Sequence, residues 1–358
     1  MKTVTILGTR PEIIRLSLII KKLDKYSEHT VVHTGQNYSS NLKDVFFQEL
    51  KLREPDYYLK ATNSSVGPQL STIIGEIYKI LEKIKPDKIL ILGDTNSGLS
   101  AIVAEKMMIP VYHMEAGNRC YDLLVPEEKN RYIIDAISSY NLPYTPGSYR
   151  NLINEGHSPK NTIVTGNPIN EVLIYFKKEI DESNILEVLN ITKKNYFICT
   201  THRAENVDNP KRLKEIFKGL DLIANEYKKP IIVSLHPRTR EKMRDFGIEP
   251  KNKLIKLLEP MGFFDFVKLE KNAMCAISDS GTVQEECCIL RVPAVTIRMT
   301  TERPETIKCG SNMIAGLDSN KILKCVKIML NRKTTWKQPR GYSDKNVSEK
   351  IIKLMLKK

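Results

Sequence analysis

The sequence predicts an α/β protein made of two halves, each built on a parallel β-sheet. Short apolar runs alternate with amphipathic helical patterns, which is typical of parallel sheets covered by helices on both faces. The series restarts near residue 195, after a stretch at 168–195 that we interpret as a linker. Polar clusters directly follow most of the apolar runs. We therefore expect two domains, at 1–168 and 169–343, followed by a terminal helix at 344–358.

The first half contains six apolar runs that we interpret as strands. Pro11 and Pro126 each stand where a helix should begin, because proline suits the first helical turn. After Pro11, apolar residues recur at helical spacing along one side of the predicted helix. The predicted strands are TVTILG (3–8), HTVVHTG (29–35), KILILGD (88–94), PVYHMEA (110–116), YNLPYT (140–145) and NTIVTGN (161–167).

The second half repeats the alternation with four clear apolar runs. A helix is predicted from Pro210 to Tyr227, and the terminal segment KNVSEKIIKLMLKK has the pattern of an amphipathic helix. The predicted strands are NYFICTTHR (195–203), KPIIVSLHP (229–237), AMCAISDSG (273–281) and VPAVTIRM (292–299).

The composition predicts a soluble, cytoplasmic protein. The chain has 41% hydrophobic and 27% charged residues, and no apolar run is long enough to span a bilayer. The N-terminal stretch MKTVTILGTRPE does not resemble a signal peptide. The net charge of +14 is spread over scattered lysines, which indicates a solvated surface or a field that attracts a small anion. No motif for nucleic acid is present, so we expect neither a nucleic-acid nor a membrane partner.

The seven cysteines are odd in number and include no C-x-x-C pair. This pattern fits neither a disulfide framework nor a zinc site. We expect reduced cysteines that pack mostly in the core.

Polar clusters stand where predicted strands of both halves end. In open parallel sheets, ligands bind beyond the carboxyl ends of the strands. We therefore expect the clusters of both halves to converge on one interdomain cleft. They are Gly8-Thr9-Arg10, Gly93-Asp94-Thr95, Glu115-Ala116-Gly117, His202-Arg203, His236-Pro237 and Asp279-Ser280-Gly281.

The stretch from Asp279 to Glu286 suggests a phosphate site. A strand ends there and a helix begins, so helix N–H groups could bind phosphate while Glu286 accepts hydrogen bonds from a ribose diol. Alternatively, Thr282 and Glu285 form a capping box. The sequence has no G-x-G-x-x-G, Walker A or Asp-x-Asp motif, which argues against NAD, ATP and a metal-held diphosphate.

Without a metal, phosphates would need cationic side chains. Arginine suits phosphate because it is always charged and bidentate, although any one of these arginines could equally sit in a surface salt bridge. The candidates are Arg10, His202, Arg203, His236, Arg238, Arg298 and Arg303.

Several carboxylates suggest proton transfer on a phosphorylated ligand. Asp94 and Glu115 each end a strand, and crowded carboxylates in a semi-apolar site can act as general acids or bases. Glu127 and Glu128 fall in the first turn of a helix, where acids also simply offset the helix dipole. His202 and His236 occupy equivalent places after strands. They either contact a ligand or pack in the core, and without a third ligand at metal spacing we predict no metal.

Taken together, the motifs resemble those of the non-hydrolysing UDP-N-acetylglucosamine 2-epimerases, in order and over nearly the whole chain. Each motif alone is common, but the combination is specific. The motifs are Gly8-Thr9-Arg10-Pro11-Glu12, Gly93-Asp94-Thr95, His113-Met114-Glu115-Ala116-Gly117, Pro126-Glu127-Glu128 with Asn130-Arg131, Gly166-Asn167, Thr201-His202-Arg203, Asp279-Ser280-Gly281 with Gln284-Glu285-Glu286, and Thr301-Glu302-Arg303-Pro304-Glu305.

The resemblance implies two Rossmann-like domains of the glycosyltransferase-B type, with UDP in the cleft and the terminal helix returning to the first domain. It implies interconversion of UDP-GlcNAc and UDP-ManNAc by anti elimination of UDP to 2-acetamidoglucal and re-addition, with no cofactor. It also implies a homodimer and a role in envelope or capsule polysaccharide synthesis.

Carried over residue by residue, the resemblance implies an acid/base set of Asp94, Glu115 and Glu127, with His202 beside the diphosphate. It also implies that Phe266 lies beside uracil. The further contacts to UDP that it implies come from Arg10, His236, Ser280, Gly281 and Glu286.

Three departures from the family pattern keep alternatives open. The family usually has Lys at the position of Arg15. Gln36-Asn37-Tyr38 replaces the Gln-His pair of a second UDP-GlcNAc site, which argues against allosteric activation. EAGNRCYD, with Asn118 and Cys120, resembles the branch that converts UDP-2-acetamido-2,6-dideoxy-L-talose to UDP-N-acetyl-L-fucosamine.

Two further function classes remain possible at this point. A glycosyltransferase of the same fold would explain the phosphate cluster but not the several carboxylates. A non-catalytic nucleotide-sugar sensor or a nucleic-acid binder would use the positive charge, but no local motif favours either.

Overall fold

The computed structural model describes residues 1–35, 40–61 and 65–357. The chain divides into two compact units, Met1–Tyr175 with Arg340–Lys358 and Phe176–Pro339. We call them unit 1 and unit 2. Gln36-Asn37-Tyr38, whose pattern argues against allosteric activation, lies outside the described residues.

Strands and helices alternate along unit 1, beginning with a strand. The strands of this region are β1 (Lys2–Leu7), β2 (Glu28–His33), β3 (Tyr57–Tyr58), β4 (Lys88–Leu92), β5 (Val111–Met114) and β6 (Tyr140–Leu142). A 3₁₀ helix covers Asn96–Ser100. The α-helices are α1 (Arg10–Tyr26), α2 (Ser40–Glu49), α3 (Val66–Ile84), α4 (Ala101–Lys106), α5 (Pro126–Ile137), α6 (Pro146–Asn154) and α7 (Ile169–Tyr175).

The same alternation runs through unit 2. Its strands are β7 (Phe197–Thr200), β8 (Ile231–Ser234), β9 (Ile255–Leu258), β10 (Ala276–Ser278), β11 (Ala294–Thr296) and β12 (Asn312–Ile314). Its helices are α8 (Lys177–Glu182), α9 (Ile185–Val188), α10 (Ala204–Val207), α11 (Pro210–Tyr227), α12 (Pro237–Phe246), α13 (Phe263–Asn272), α14 (Gly281–Leu290), α15 (Pro304–Lys308) and α16 (Ser319–Leu330).

The last helix, α17 (Val347–Leu356), belongs to unit 1. It packs on α1, where Lys22 Nζ donates to Glu349 Oε2 at 3.2 Å. Ile351 and Met355 are buried on its inner face, and Ser348 N–H donates to Glu171 at 2.8 Å. Apolar burial and polar contacts together fix the chain end to unit 1.

Both sheets are fully parallel and have the same strand order. Unit 1 reads β3-β2-β1-β4-β5-β6 and unit 2 reads β12-β11-β10-β7-β8-β9. Counted from the first strand of each unit, both follow the order 3-2-1-4-5-6 of the doubly wound Rossmann fold. Strand residues on both faces are buried, as in sheets covered by helices on each side. The prediction of two parallel α/β halves is confirmed.

The strand order creates one switch point in each sheet. In unit 1 it lies between β1 and β4, and in unit 2 between β7 and β10. At such a point the connections leave on opposite faces of the sheet and a crevice opens at the carboxyl ends of the strands. These two edges are therefore where a ligand is expected.

One predicted strand is wrong and three strands were not predicted. The segment 161–167 forms only an isolated bridge, Asn141 to Thr162, because Val164 is exposed and Gly166 turns the chain with φ of +92°. The unpredicted strands are β3, β9 and β12. All three lie at sheet edges and have two to four residues, too few for a periodic signal.

Other local predictions agree with the structure. Helix α11 spans the predicted Pro210–Tyr227, and helices begin at or next to Pro11 and Pro126. All seven cysteines are free, and six of them are buried, which confirms their predicted place in the core. Every helix of the described ranges is too short or too polar to cross a bilayer.

Candidate active site

Three of the predicted polar clusters lie along one edge of the unit 1 sheet. β1 pairs with β4, and β4 pairs with β5, so their carboxyl ends are neighbours. Gly8-Thr9-Arg10 follows β1, Gly93-Asp94 follows β4 and Glu115 follows β5. The parallel register thus places a cation and two acids at the switch-point edge.

Glu12, in the first turn of α1, joins the two strands at this switch point. Its Oε2 accepts from the N–H groups of Gly8 at 2.5 Å and Thr9 at 2.9 Å, and its Oε1 contacts Thr95 Oγ1 at 2.6 Å. Burial raises the pKa of Glu12 to about 7, assisted by the charge of Asp94 and opposed by these hydrogen bonds. The sequence places Glu12 in a motif but assigns it no role. An acid in a first helical turn is usually a dipole or capping residue.

Asp94 is held by an arginine from α5. Arg131 Nε donates to Asp94 Oδ2 at 2.7 Å, and Arg131 Nη1 donates to Glu128 Oε2 at 2.5 Å. Glu128 is fully buried and also accepts from the N–H of Cys120 at 3.0 Å. Glu128 therefore holds Arg131 and the backbone of Cys120 in place, in addition to offsetting the helix dipole. Glu127 lies beside it in the first turn of α5 and is half-buried.

Glu115 forms a buried ion pair with Arg15 of α1. Glu115 Oε2 lies 2.5 Å from Arg15 Nη1, and the two side chains are 7% and 3% exposed. The backbone of Glu115 has φ of +69°, a left-handed conformation that costs about 1–2 kcal/mol outside glycine. Such a conformation persists only where the surroundings impose it, and it is concentrated at functional sites. Arg15, noted in the sequence only as a departure, thus contacts a predicted catalytic acid.

His113, on β5, connects this strand to the residue after β4 and to α5. Its Nε2 lies 2.9 Å from Gly93 O and its Nδ1 lies 2.9 Å from Asp135 Oδ1. Burial would raise the pKa of Asp135, but its partners His113 and Arg119 outweigh burial and hold that pKa below its usual value. Gly117 donates its N–H to Asp135 at 3.0 Å, so one buried carboxylate ties the turn after β5 to α5.

Asn118 and Cys120, the two residues of EAGNRCYD that depart from the common family pattern, contact other residues of unit 1. Asn118 Oδ1 accepts from Ser148 Oγ at 2.8 Å, and Asn118 is 4% exposed. Cys120 Sγ lies 3.3 Å from Glu128 Oε2. Both departures from the common family pattern therefore have packing and hydrogen-bonding partners.

Arg10 is the first residue of α1 and lies over the ring of Phe46, 6.0 Å from its centroid. Burial lowers the pKa of the Arg10 guanidinium. Within the described part of the chain no acid forms an ion pair with Arg10. Its charge at a helix N-terminus suits an anionic ligand.

In unit 2, Asp279 organises the loop that follows β7. Asp279 is fully buried and follows β10, the switch-point neighbour of β7. It accepts from Thr201 Oγ1 at 2.7 Å, from the N–H groups of His202 and Arg203 at 3.1 and 3.0 Å, and from Asn206 Nδ2 at 3.0 Å. These hydrogen bonds position the His202-Arg203 loop.

His202 and His236 meet at the carboxyl ends of β7 and β8. Their ring centroids lie 5.8 Å apart, and both side chains are partly exposed. His236 caps α12, where its Nδ1 accepts from the N–H of Arg238 at 3.3 Å. Arg238 itself pairs with Asp208 on the exposed surface, so the alternative reading of a surface salt bridge holds for it.

A buried ion-pair network surrounds the start of α14. Arg298 Nη1 donates to Glu302 Oε2 at 2.7 Å, and Arg203 Nη2 lies 3.4 Å from Glu302 Oε1. Arg303 pairs with Glu285. A Cβ on Gly281 would lie 2.5 Å from Glu302 Oε1, so a larger residue at this helix start would displace the Glu302 carboxylate. Three predicted cations thus converge on one helix N-terminus.

The structure corrects the capping-box alternative for this helix. α14 begins at Gly281 with Ser280 as its N-cap, not with Thr282. Glu285 is instead the partner of Arg303. The side chain of Ser280 accepts no capping hydrogen bond, which leaves the helix start suited to an anion.

Glu286, on α14, contacts a second buried acid, Glu270 of α13. Glu286 is 3% exposed and Glu270 is fully buried. Burial raises the pKa of Glu270 well above its usual value, as do the charge of and a hydrogen bond with Glu286. Burial and the neighbouring carboxylate thus both favour the protonated form of Glu270. Phe266 lies one turn before Glu270 and is half-buried against the core.

The predicted catalytic acids Asp94, Glu115 and Glu127 thus belong to unit 1, and His202 belongs to unit 2 with most of the predicted UDP contacts. Several predicted residues follow strands at or next to the switch points, whereas Glu127 and Glu286 lie on helices α5 and α14. Phe266 stands apart from them on α13. The predicted convergence of both sets on one ligand stays a prediction.

Comparisons with known proteins agree over nearly the full length. The UDP-N-acetylglucosamine 2-epimerase family model matches residues 21–356. The chain is 44% identical to a UDP-N-acetylglucosamine 2-epimerase of Methanocaldococcus jannaschii, over 99% of both chains, and 43% identical to one of Methanococcus maripaludis, over 98% of this chain and 97% of the other.

A crystal structure of the Methanocaldococcus jannaschii enzyme in complex with UDP-GlcNAc and UDP is similar to this fold. It has a TM-score of 0.95 and 43% identity, with 99% of each chain covered. The match in sequence, fold and length leads to one conclusion: this chain belongs to the UDP-N-acetylglucosamine 2-epimerase family.

Proposed function

We propose that the protein is a non-hydrolysing UDP-N-acetylglucosamine 2-epimerase that interconverts UDP-GlcNAc and UDP-ManNAc. The observation that carries the proposal is a pair of carboxylates, Asp94 and Glu115, at the ends of neighbouring strands, each held by a buried arginine. Epimerisation next to the anomeric carbon requires removal and return of a proton, and carboxylates are suited to both. Family membership supports the same activity.

The reaction has two halves that balance in protons and electrons. A carboxylate takes the C2 proton, the C2–H electrons form the C1=C2 bond, and the C1–O bond breaks to release UDP with its negative charge. UDP then adds back to C1 while a carboxylic acid returns a proton to the opposite face of C2. No redox partner is needed, so we propose a cofactor-free enzyme. Asp94, Glu115 and Glu127 are the proposed acid/base groups.

Unit 2 supplies the proposed site for UDP. We assign the departing diphosphate to His202, Arg203, His236 and Arg303 with the α14 N-terminus, because cations and helix N–H groups stabilise charge that develops on a leaving group. Arg10 of unit 1 would add a further cation. Ser280, Gly281, Glu286 and Phe266 complete the set, with Glu286 accepting from the ribose diol and Phe266 beside uracil.

UDP-GlcNAc is the proposed substrate, in preference to the 6-deoxy-talose sugar nucleotide. The relatives at 43–44% identity are named UDP-N-acetylglucosamine 2-epimerases. The partners of Asn118 and Cys120 inside unit 1 give these residues a role that needs no different sugar. A relative at 31% identity is named for a UDP-diacetamido-glucuronate, so the sugar is an aspect that requires a direct test.

The decisive experiment is an NMR time course in heavy water with UDP-GlcNAc, repeated with the 6-deoxy-talose sugar nucleotide. We expect UDP-ManNAc that carries deuterium at C2. Product without the label would refute proton exchange at C2, and conversion of the second substrate alone would move the enzyme to the other branch. Transfer of sugar to an acceptor without C2 exchange would instead indicate a glycosyltransferase.

The proposed acids are tested by Asp94→Asn, Glu115→Gln and Glu127→Gln. Each variant should lose about 10²–10⁴ in rate while UDP affinity, measured by titration calorimetry, stays close to that of the parent. A variant that retains the parent rate would remove that residue from the acid/base set.

We further propose a cytoplasmic homodimer that supplies polysaccharide synthesis. Light scattering of the purified protein would show the dimer or exclude it.

A further inference from the structure

Two cysteines of unit 2, Cys288 and Cys309, lie close together. Cys288 is buried on α14, and Cys309 directly follows α15 and is partly exposed. Their sulfur atoms are 3.7 Å apart. A disulfide requires about 2.05 Å between the sulfurs, so a small approach of the two segments would suffice to form one.

The surroundings make the two thiols chemically unequal. Cys309 Sγ lies 3.3 Å from Ser311 Oγ and 3.4 Å from Thr306 O. A hydrogen bond from Cys288, assisted by Ser311, lowers the pKa of Cys309 to about 6 even though burial opposes it. The same hydrogen bond, together with burial, raises the pKa of Cys288. Of the two thiols, Cys309 therefore loses its proton more readily, and it is also the more exposed sulfur.

The other cysteines lack this combination of a nearby thiol and partial exposure. All of them are buried. Burial raises the pKa of each of these thiols, which makes them poor nucleophiles; they are Cys120, Cys199, Cys275, Cys287 and Cys325.

We propose that Cys288 and Cys309 form a redox-active pair, which a hydroperoxide oxidises to an intramolecular disulfide. The Cys309 thiolate attacks the peroxide, its O–O bond breaks, and the products are a Cys309 sulfenic acid and hydroxide or alkoxide. The Cys288 thiol then attacks the sulfenic sulfur, an S–S bond forms and water leaves. The two thiols supply two electrons to the peroxide, and a dithiol reverses the reaction.

The disulfide would act on elements of the proposed UDP site. Cys288 lies two residues after Glu286 on α14, and Cys309 ends the segment that contains Glu302 and Arg303. Thr301 Oγ1 donates to Gln284 at 2.7 Å between the same two segments. Drawing the sulfurs together would shift α15 against α14 and disturb this contact. This consequence rests on the proposed function, whereas formation of the disulfide does not.

The test uses the reduced full-length protein and one equivalent of hydrogen peroxide, followed by alkylation and peptide mass spectrometry. We expect one cross-linked peptide joining Cys288 to Cys309, with the other five of the seven cysteines alkylated. Oxidation of other cysteines first, or of Cys309 without the cross-link, would overturn the proposal.

Single substitutions separate the roles of Cys309, which reacts with the peroxide, and Cys288, which completes the disulfide. Cys309→Ser should give no cross-link, whereas Cys288→Ser should leave Cys309 as a sulfenic acid that dimedone traps. Cys325→Ser is the matched control and should cross-link like the parent. Should Cys309→Ser fail to fold, the pH profile of Cys309 alkylation in the parent decides. A midpoint near 6 supports the proposal, and a midpoint at about 8.5, the value of a free thiol, refutes it.

Titration with UDP tests the consequence for binding. The oxidised protein should bind UDP at least about fivefold more weakly, the lower end of typical coupling between sites, and dithiothreitol should restore the affinity. Equal Kd values for the two forms would refute the coupling. Failure of the reduced parent to bind UDP would refute the proposed function instead.

Discussion

Replacing Glu12 with Gln should make unit 1 more stable at neutral and alkaline pH. Glu12 is buried and bridges the ends of β1 and β4. The Gln amide has a similar shape, and its carbonyl can accept from the N–H groups of Gly8 and Thr9 while its NH₂ donates to Thr95. The substitution therefore removes a titrating proton and retains the hydrogen bonds.

The magnitude follows from the difference between the folded and unfolded pKa of Glu12. The pKa rises from 4.5 to about 7 on folding, which corresponds to about 3 kcal/mol at 1.36 kcal/mol per pH unit. Below pH 4.5 both states are protonated and the cost is absent. Between pH 4.5 and 7 the unfolded state ionises first, so the stability of the parent falls as pH rises. Above pH 7 the full cost is present, and the Gln variant never incurs it.

Thermal unfolding followed by circular dichroism at pH 5 and pH 8 measures the effect. The only tryptophan, Trp336, lies in unit 2, so its fluorescence would not report on Glu12. We expect the variant to exceed the parent Tm by about 2–3 °C at pH 5, where only part of the cost is present, and by about 6–12 °C at pH 8. Glu82→Gln, on the exposed side of α3, is the matched control. A Tm difference that is the same at both pH values would show that the proton of Glu12 is not responsible.

Substitutions at three other positions test the buried partners of the site. Asp279→Asn should weaken UDP binding about tenfold, because the amide cannot accept every hydrogen bond that the carboxylate accepts and leaves buried N–H groups unpaired; calorimetry with UDP measures it. Glu270→Gln should retain UDP affinity because a neutral polar amide replaces a carboxyl that burial keeps protonated beside Glu286, whereas Glu270→Leu should lose about tenfold; equal UDP affinities of the Gln and Leu variants would refute this role of Glu270. Arg15→Met should lower the free energy of unfolding in urea by about 3–5 kcal/mol, because it removes the cation that pairs with the buried Glu115 carboxylate. Arg15→Lys keeps a cation and should cost less.

The sequence was sufficient to predict the fold because the central strands carry strong signals. β1, β4 and β7 are rich in apolar and β-branched residues and are followed by glycine or polar residues, and prolines mark where several helices start. Three of the four edge strands, β3, β9 and β12, escaped because a strand with one partner can be short and partly polar. β12 has only three residues, and its pairing depends on β11 rather than on its own composition.

The candidate site was predictable only where residue type and strand position coincide. Asp94, Glu115 and His202 stand at strand ends, so their positions could be inferred from the pattern. Glu270 could not be found in this way, because it lies inside a helix and nothing in the sequence brings it near Glu286. The partner of Glu115 is Arg15, one hundred residues earlier. Contacts over such distances depend on packing between elements, which a local pattern does not encode.

In both units a buried carboxylate accepts hydrogen bonds from backbone N–H groups at the switch point. In unit 1, Glu12 accepts from two N–H groups after β1 and contacts Thr95 after β4. In unit 2, Asp279 follows β10 and accepts from two N–H groups and the Thr201 hydroxyl after β7. At both places neighbouring strands send their chains to opposite faces, so backbone N–H groups lose their partners in the sheet. A carboxylate satisfies several donors at once and joins the two chains. Loss of activity on replacing either acid would therefore report on loop position, and only variants that retain the loop can show which groups contact the substrate.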